Sequence, residues 1–261
     1  MDFTNIIYKK THSIAHIIVN RPEKSNALNR AARLEMKDAL DDVRTDESVR
    51  VLILSGAGGK SFVAGSDLNE LSKFSALDME EFLATLAQGF YTQFEQLEKP
   101  VIAMIDGLCL GGGLELAMTC DIRIASSASR FGQPEILLGI MPGSGATQRL
   151  SRLVGVGKAK ELIFSGKTID ADEAHRIGLV NQVTSSDTLE EVVMTLAIHI
   201  AEQSPLALKW AKKAINLSQE TGLSVGLGFE ALAEALLFTG KDREEGMKAF
   251  FEKRKAHFEG K

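Results

Sequence analysis

The sequence predicts a mixed α/β core followed by a helical C-terminal region, on three observations. Short continuous apolar runs at residues 14–19, 51–54 and 101–105 have the pattern of strands covered on both faces. Stripes of apolar residues at helical spacing lie between those runs. From about residue 196 onward the pattern is helical, and no Pro/Ser-rich linker precedes it. Residues 1–195 therefore read as one core, and residues 196–261 as a helical appendage rather than a second independent domain.

The run at residues 14–19 is β-rich and apolar except at His16. A first helix is predicted by Leu28, Ala32, Met36, Ala39 and Val43, with Asn29 available as its cap. A second stripe runs through Met79, Phe82, Leu86, Phe90, Phe94 and Leu97. It ends at Lys99-Pro100, because the residue before proline avoids the α region. Farther on, Asp170 with Glu173, Asp187 with Glu190 and Asp242 with Glu245 read as capping boxes in which Asp replaces Ser or Thr. Ser204-Pro205 reads as a cap followed by proline in the first helical position.

Composition narrows the function classes. Apolar residues make up 44% and charged residues 25%, enough for a large core in a chain of 261 residues. The net charge of -5 argues against a general nucleic-acid binder, while local basic groups can still serve a polyanionic ligand. Cys109 and Cys120 sit in apolar stretches and read as buried free thiols. The first ten residues lack an apolar run of signal-peptide length, and no uncharged stretch reaches membrane-spanning length. A cytoplasmic protein without membrane contacts is expected. The five histidines have no metal-ligand spacing among themselves, so no metal site is expected.

Glycine punctuates three places that could carry chemistry: Phe62 to Leu68, Gly107 to Ala117, and Phe131 to Glu135 leading to Met141 to Arg149. Phosphate cradles fit poorly. A P-loop needs Lys and Ser or Thr after its last glycine, whereas Leu114 and Glu115 follow Gly113. G-x-G-x-x-G is missing from all three, and Pro142 stands where a nucleophile elbow at Ser144 would need glycine. A Gly-rich strand-to-helix turn can instead expose amide N–H groups. Gly112 lies at the expected start of a helix through residues 114–118, and Ala64 follows another strand. Two such amides converging on one carbonyl oxygen make an oxyanion hole.

Glu115 and Glu135 each lie in apolar surroundings. A Glu is rarely buried without a partner or a task. Either alone reads equally well as a helix-start cap or ion pair; two beside glycine turns favour an acid/base pair. Asp67 reads as the cap of a short helix over residues 68–74, and Asp121 as a structural anchor. The run Lys253-Arg254-Lys255 reads as a solvated helix face.

Taken together, these motifs resemble the enoyl-CoA hydratase/isomerase (crotonase) family. The resemblance begins at Asn20-Arg21-Pro22 with Asn26-Ala27-Leu28, continues through residues 62–68, 107–121 and 131–150 and Leu179-Val180-Asn181, and closes with Glu245-Gly246, Ala249-Phe250 and Glu252-Lys253-Arg254. It implies a spiral of ββα repeats with a C-terminal helical trimerisation region, assembled as a homotrimer or a homohexamer built from two trimers. It also implies reversible addition of water to a trans-2-enoyl-CoA in fatty-acid β-oxidation. The oxyanion hole then falls on the amides of Ala64 and Gly112, and the catalytic acids on Glu115 and Glu135. Contacts to the acyl-CoA thioester fall on Lys24, Ala27, Leu28, Gly65, Ser66, Asp67 and Leu68, with Phe250 and Lys253 reaching the nucleotide from a neighbouring subunit. Coenzyme A belongs to the substrate, and no separate cofactor is implied. Retention of both glutamates favours hydration over 3-enoyl to 2-enoyl isomerisation. A non-catalytic acyl-CoA- or RNA-binding protein on the same fold is the distant alternative. The chain departs from the family pattern at Ser66, where many members have Ala, and at Leu114, where many hydratases have Cys.

Overall fold

The computed structural model describes residues 2–261. The chain opens with an antiparallel pair, β1 (Ile6–Thr11) and β2 (Ile14–Val19). The long helix α1 (Arg30–Thr45) follows. Asn29 caps it by accepting from the Ala32 amide at 2.9 Å, and its predicted stripe of Ala32, Met36, Ala39 and Val43 is buried. Lys10, Asp42 and Asp46 tie β1 to the end of this helix.

A ββα unit then repeats three times. Strands β3 (Val51–Gly56) and β4 (Ser61–Val63) lead into α2 (Leu68–Leu71), α3 (Ala76–Phe82) and α4 (Gln88–Glu95). Strands β5 (Val101–Ile105) and β6 (Leu108–Leu110) lead into α5 (Gly112–Thr119). Strands β7 (Ile122–Ser126) and β8 (Arg130–Gly132) lead through a 3₁₀ turn, Pro134–Leu138, into α6 (Ala146–Val154) and α7 (Val156–Ser165). The first strand of each unit joins a six-stranded sheet of order β1-β2-β3-β5-β7-β10, and the second joins a four-stranded sheet of order β4-β6-β8-β9. Successive units pair in parallel in both sheets, so each advances the chain by one strand and the result is a spiral. Strand β9 (Thr168–Asp170), helix α8 (Ala171–Arg176), strand β10 (Gln182–Thr184) and helix α9 (Ser186–Ala201) complete the core.

The continuous apolar strands are buried on both faces, as their sequences require. Leu52 and Leu54 of β3 face the main core with Ala103 and Ile105 of β5. Val51, Ile53 and Ile102 face the other way, against Leu189, Val193 and Ala197 of α9. Because α9 covers the large sheet, the 195/196 boundary falls inside a helix, and the change from core to appendage comes after Ala201.

The appendage consists of α10 (Pro205–Leu217), α11 (Leu223–Leu237) and α12 (Lys241–Glu252). Ser204 caps α10 through the Ala207 amide, as the Ser-Pro pair predicted. A part-buried ion pair fastens this region to the core. Lys212 of α10 donates to Asp121 at 2.8 Å, and Asp121 also accepts from the Val101 amide at 2.7 Å. Burial pushes the Asp121 carboxyl up and Lys212 opposes that shift. Leu223, Val225, Leu232, Phe250 and Phe251 remain exposed.

Two of the three predicted capping boxes are corrected. Asp170 does cap α8, accepting from the Glu173 amide at 2.9 Å. Asp187, by contrast, lies within the first turn of α9, whose cap position is Ser185. Asp242 lies inside α12 beyond its Gly240 cap. Its buried carboxylate accepts from Ser204 Oγ and from the Glu259 and Gly260 amides, which pins the C-terminal segment. The second apolar stripe is also not one helix: a π turn, Leu83–Ala87, separates α3 from α4. No single helix among the described residues is long and apolar enough to cross a membrane.

Candidate active site

A cavity of about 1710 Å³ is walled by all three ββα units, and its lining includes Ala64, Gly65, Ser66, Gly112, Glu115 and Glu135. The three glycine-punctuated segments of the sequence thus meet in space. Two close approaches make glycine necessary at the turn. Gly111 has φ 51°, and a Cβ there would lie 2.8 Å from Glu135 Oε1. A Cβ on Gly113 would lie 2.0 Å from the Val63 carbonyl oxygen, so α5 can start against β4 only without a side chain at that position.

Of the two predicted amides, one is free and the other is not. Gly112 is the first residue of α5, and its N–H has no internal partner. The Ala64 amide, however, donates to the Ser25 carbonyl at 3.1 Å and is not available to a ligand. The loop carrying Ser25 is drawn in by Asn26, a fully buried side chain. Its Nδ2 donates to the Ala57 and Ser61 carbonyls while its Oδ1 accepts from the Arg21 amide. Two residues past Ala64, the amide of Ser66 has no protein acceptor among the described residues, although its neighbours do bond: Leu28 N–H donates to Gly65 O and Asp67 N–H to Leu28 O. Ser66 N also lies 3.4 Å from where a Gly112 Cβ would stand. The pair of free amides facing one another is therefore Ser66 and Gly112.

The two carboxylates share the cavity in different settings. Glu115, one turn into α5, is 2% exposed. Its Oε1 accepts from the amides of Ser144 at 2.7 Å and Ala146 at 3.0 Å, and its Oε2 accepts from no protein group among the described residues. Burial raises its pKa, while the two amides and the charge of Arg33 oppose that rise. Glu135 sits in the 3₁₀ turn beside Gly111. Burial, with the Glu115 charge adding to it, pushes its carboxyl up to about 7. With its amide nitrogen turned toward Glu135, the buried Gln133 donates to both carboxylate oxygens at 3.0 Å.

The remaining predicted contacts divide. Gly65, Ser66 and Leu68 line the cavity. Asp67 caps α2 through the Asn69 amide, and that helix stops at Leu71 rather than residue 74. The same carboxylate pairs with Arg21 at 3.1 Å. Leu28 is a core side chain whose backbone bridges to the Ser66 loop. Lys24 is exposed at the end of a short 3₁₀ turn, and the Ala27 carbonyl accepts from Arg21 Nη1. Phe250 and Lys253 lie at the far end of the appendage and do not line this cavity. The histidines stay outside it; His16 is held neutral by burial, its pKa near 4, and pairs with Ser55 Oγ.

Several groups at the site carried no obvious sequence signal. The Ser144 and Ala146 amides act through the backbone alone. Arg33 did leave a trace: it stands three and seven residues before the buried Met36 and Leu40, a charged group on the apolar face of α1.

A family model described as enoyl-CoA hydratase/isomerase matches residues 9–261. The chain is 48% identical over 258 residues to a crotonyl-CoA hydratase of Syntrophomonas wolfei, covering 99% of each chain. It is 46% identical over 255 residues to a short-chain-enoyl-CoA hydratase of Clostridium acetobutylicum, covering 98% of this chain and 97% of that one. Among solved structures, an enoyl-CoA hydratase from Bacillus anthracis superposes with a TM-score of 0.96 at 40% identity, covering 99% of this chain and all (100%) of that chain.

Proposed function

This chain belongs to the enoyl-CoA hydratase/isomerase family, and we infer that within it the protein is an enoyl-CoA hydratase, adding water reversibly to a trans-2-enoyl-CoA to give a 3-hydroxyacyl-CoA. The observation that carries the reading is the convergence of a buried glutamate, a part-buried one and two amides without a protein acceptor among the described residues on one cavity.

In the reaction the thioester oxygen accepts from the Ser66 and Gly112 amides. Electron density drawn toward that oxygen makes the β-carbon electrophilic and stabilises enolate-like charge as water adds. Glu115, its ionised form favoured by the Ser144 and Ala146 amides, takes a proton from water through its free Oε2 as the water oxygen bonds to the β-carbon. Glu135, with its carboxyl near 7, carries a proton at neutral pH and gives it to the α-carbon. The net result is one proton leaving water and one reaching the α-carbon. Every proton transfer uses these two side chains and the substrate's own coenzyme A thioester, and no separate cofactor enters the scheme.

The relatives' names support a short-chain substrate for this chain as well. The exposed apolar residues of the appendage support assembly as a homotrimer or a dimer of trimers. A cytoplasmic location and placement in β-oxidation complete the proposal. The direct test is hydration of crotonyl-CoA and longer 2-enoyl-CoA esters, followed by loss of the conjugated enoyl absorbance. Saturable turnover that declines with chain length is expected. Turnover of 3-enoyl-CoA with no hydration of crotonyl-CoA would establish an isomerase instead, and binding without turnover a non-catalytic protein.

A further inference from the structure

Arg33 is fully buried, and no Asp or Glu forms an ion pair with it among the described residues. Its Nη1 donates to the Leu86 carbonyl at 3.0 Å and its Nη2 to Ser66 Oγ at 2.8 Å, while Nε has no partner among the described residues. The guanidinium lies between two rings, 5.0 Å from that of Phe82 and 5.1 Å from that of Tyr91. Tyr91 is itself buried and donates its hydroxyl to the Gly112 carbonyl at 2.9 Å. A Cβ on Gly112 would stand 3.1 Å from Ser66 Oγ and 3.4 Å from Tyr91 Oη. Arg33 thus reaches both residues that present the free amides, Ser66 directly and Gly112 by way of Tyr91. A buried cation without an anion is costly for folding, and local rules are broken in this way chiefly where a function compensates.

We propose that Arg33 is a positioning residue for the reaction, which aims the Ser66 amide by holding the Ser66 hydroxyl and places an unneutralised positive charge behind the site where the thioester oxygen becomes enolate-like. The proposal rests on the hydratase reading, with Ser66 and Gly112 as the two donors. Tyr91 braces the second donor, so the cluster of Arg33, Tyr91 and Ser66 joins α1, α4 and the loop after β4 behind one oxygen-binding point. The charge favours the anionic transition state over the neutral ground state, so its contribution falls on kcat rather than on KM.

The test compares wild type, Arg33→Leu, Arg33→Lys, Ser66→Ala and the Arg33→Leu/Ser66→Ala pair in two assays. One is kcat and KM for crotonyl-CoA. The other is the near-ultraviolet enolate band of bound acetoacetyl-CoA, which reports how strongly the site stabilises the anion without any turnover. Arg33→Leu is expected to lower kcat about tenfold, the scale of one charge-assisted hydrogen bond, with KM within about twofold. The enolate band weakens in parallel, Arg33→Lys recovers part of both, and the double variant is little worse than Arg33→Leu. A folded Arg33→Leu enzyme with wild-type kcat and an undiminished enolate band overturns the proposal. Should Arg33→Leu fail to fold, Ser66→Ala removes a single oxygen, and wild-type values for it in both assays overturn the proposal equally. A wild-type protein that neither hydrates crotonyl-CoA nor yields an enolate band defeats the hydratase reading itself, whereas normal wild-type behaviour with indifferent variants defeats only the role of Arg33.

Discussion

Glu115 and Glu135 border the same cavity, yet the two regions that carry them are built differently. Glu115 stands on α5, a helix whose residues are all buried, and two backbone amides clamp one of its oxygens. Glu135 stands on a 3₁₀ turn whose Leu137 and Leu138, like Ile140 and Met141 beyond it, are exposed, and among the described residues the side chain of Gln133 is what holds its carboxylate. Helix packing and fixed amides suit a group that keeps its charge and orients water. A desolvated carboxyl on a short turn suits a group that carries a proton and releases it. The comparison teaches that one residue type is divided into two roles by the backbone beneath it, through desolvation and hydrogen bonding.

The largest expected effect tests whether both regions are needed. Glu115→Gln and Glu135→Gln should each lower kcat for crotonyl-CoA at least about a hundredfold, the range for positioned acid–base groups. Near-normal turnover in both would break the comparison at its root. Stability should respond as well. Glu135→Gln removes a carboxyl whose charged form burial disfavours. The folded-state pKa of Glu135 is about 7, above its ordinary value, so the wild type loses stability as pH rises from the unfolded pKa toward 7. Allowing for screening at this partly exposed group, the variant should gain roughly 1–2 kcal/mol over wild type at pH 8 and nothing at pH 4.

Smaller effects sharpen the contrast. If Glu135 delivers the proton, kcat/KM for hydration should fall as pH rises through about 7, with a separate acid limb where Glu115 becomes protonated. A flat profile from about pH 6 to pH 9 would remove Glu135 from that role. Gln133→Leu takes away donors that favour the ionised form, so it should move the falling limb upward by less than about one pH unit. Neither Ser144 nor Ala146 can be probed in this way, because they act through their amides.

The fold was largely legible because burial on both faces leaves a plain mark. The runs at residues 51–54 and 101–105 became the central strands β3 and β5, and the Asn29 cap with its apolar stripe became α1. Strand β1 was not legible: its outer residues are exposed, and Lys9-Lys10-Thr11 hide the alternation. The break at Leu83–Ala87 was hidden too, because a π turn keeps apolar residues near helical spacing while rotating those that follow. At the site, both glutamates and Gly112 could be read, since a lone acid in an apolar stretch and a glycine at a helix start have a physical price visible in one dimension. Choosing between Ala64 and Ser66 could not be done in that way. It depends on whether Ser25 reaches Ala64, which is decided by Asn26 and by the left-handed backbone at residues 25 and 26.

The pairing of Asp121 with Lys212 makes the last quarter of the chain indispensable to the part that holds the ligand. Asp121 closes the segment that carries Glu115, and Lys212 also donates to the Lys99 carbonyl at 3.1 Å, just ahead of β5. A protein cut short after Ala201 would expose more than an apolar seam: it would strand a part-buried acid with its counter-charge gone, at the base of the helix that presents the Gly112 amide. Removing residues 202–261 should therefore silence the enzyme through its core, even where every residue touching the substrate survives intact.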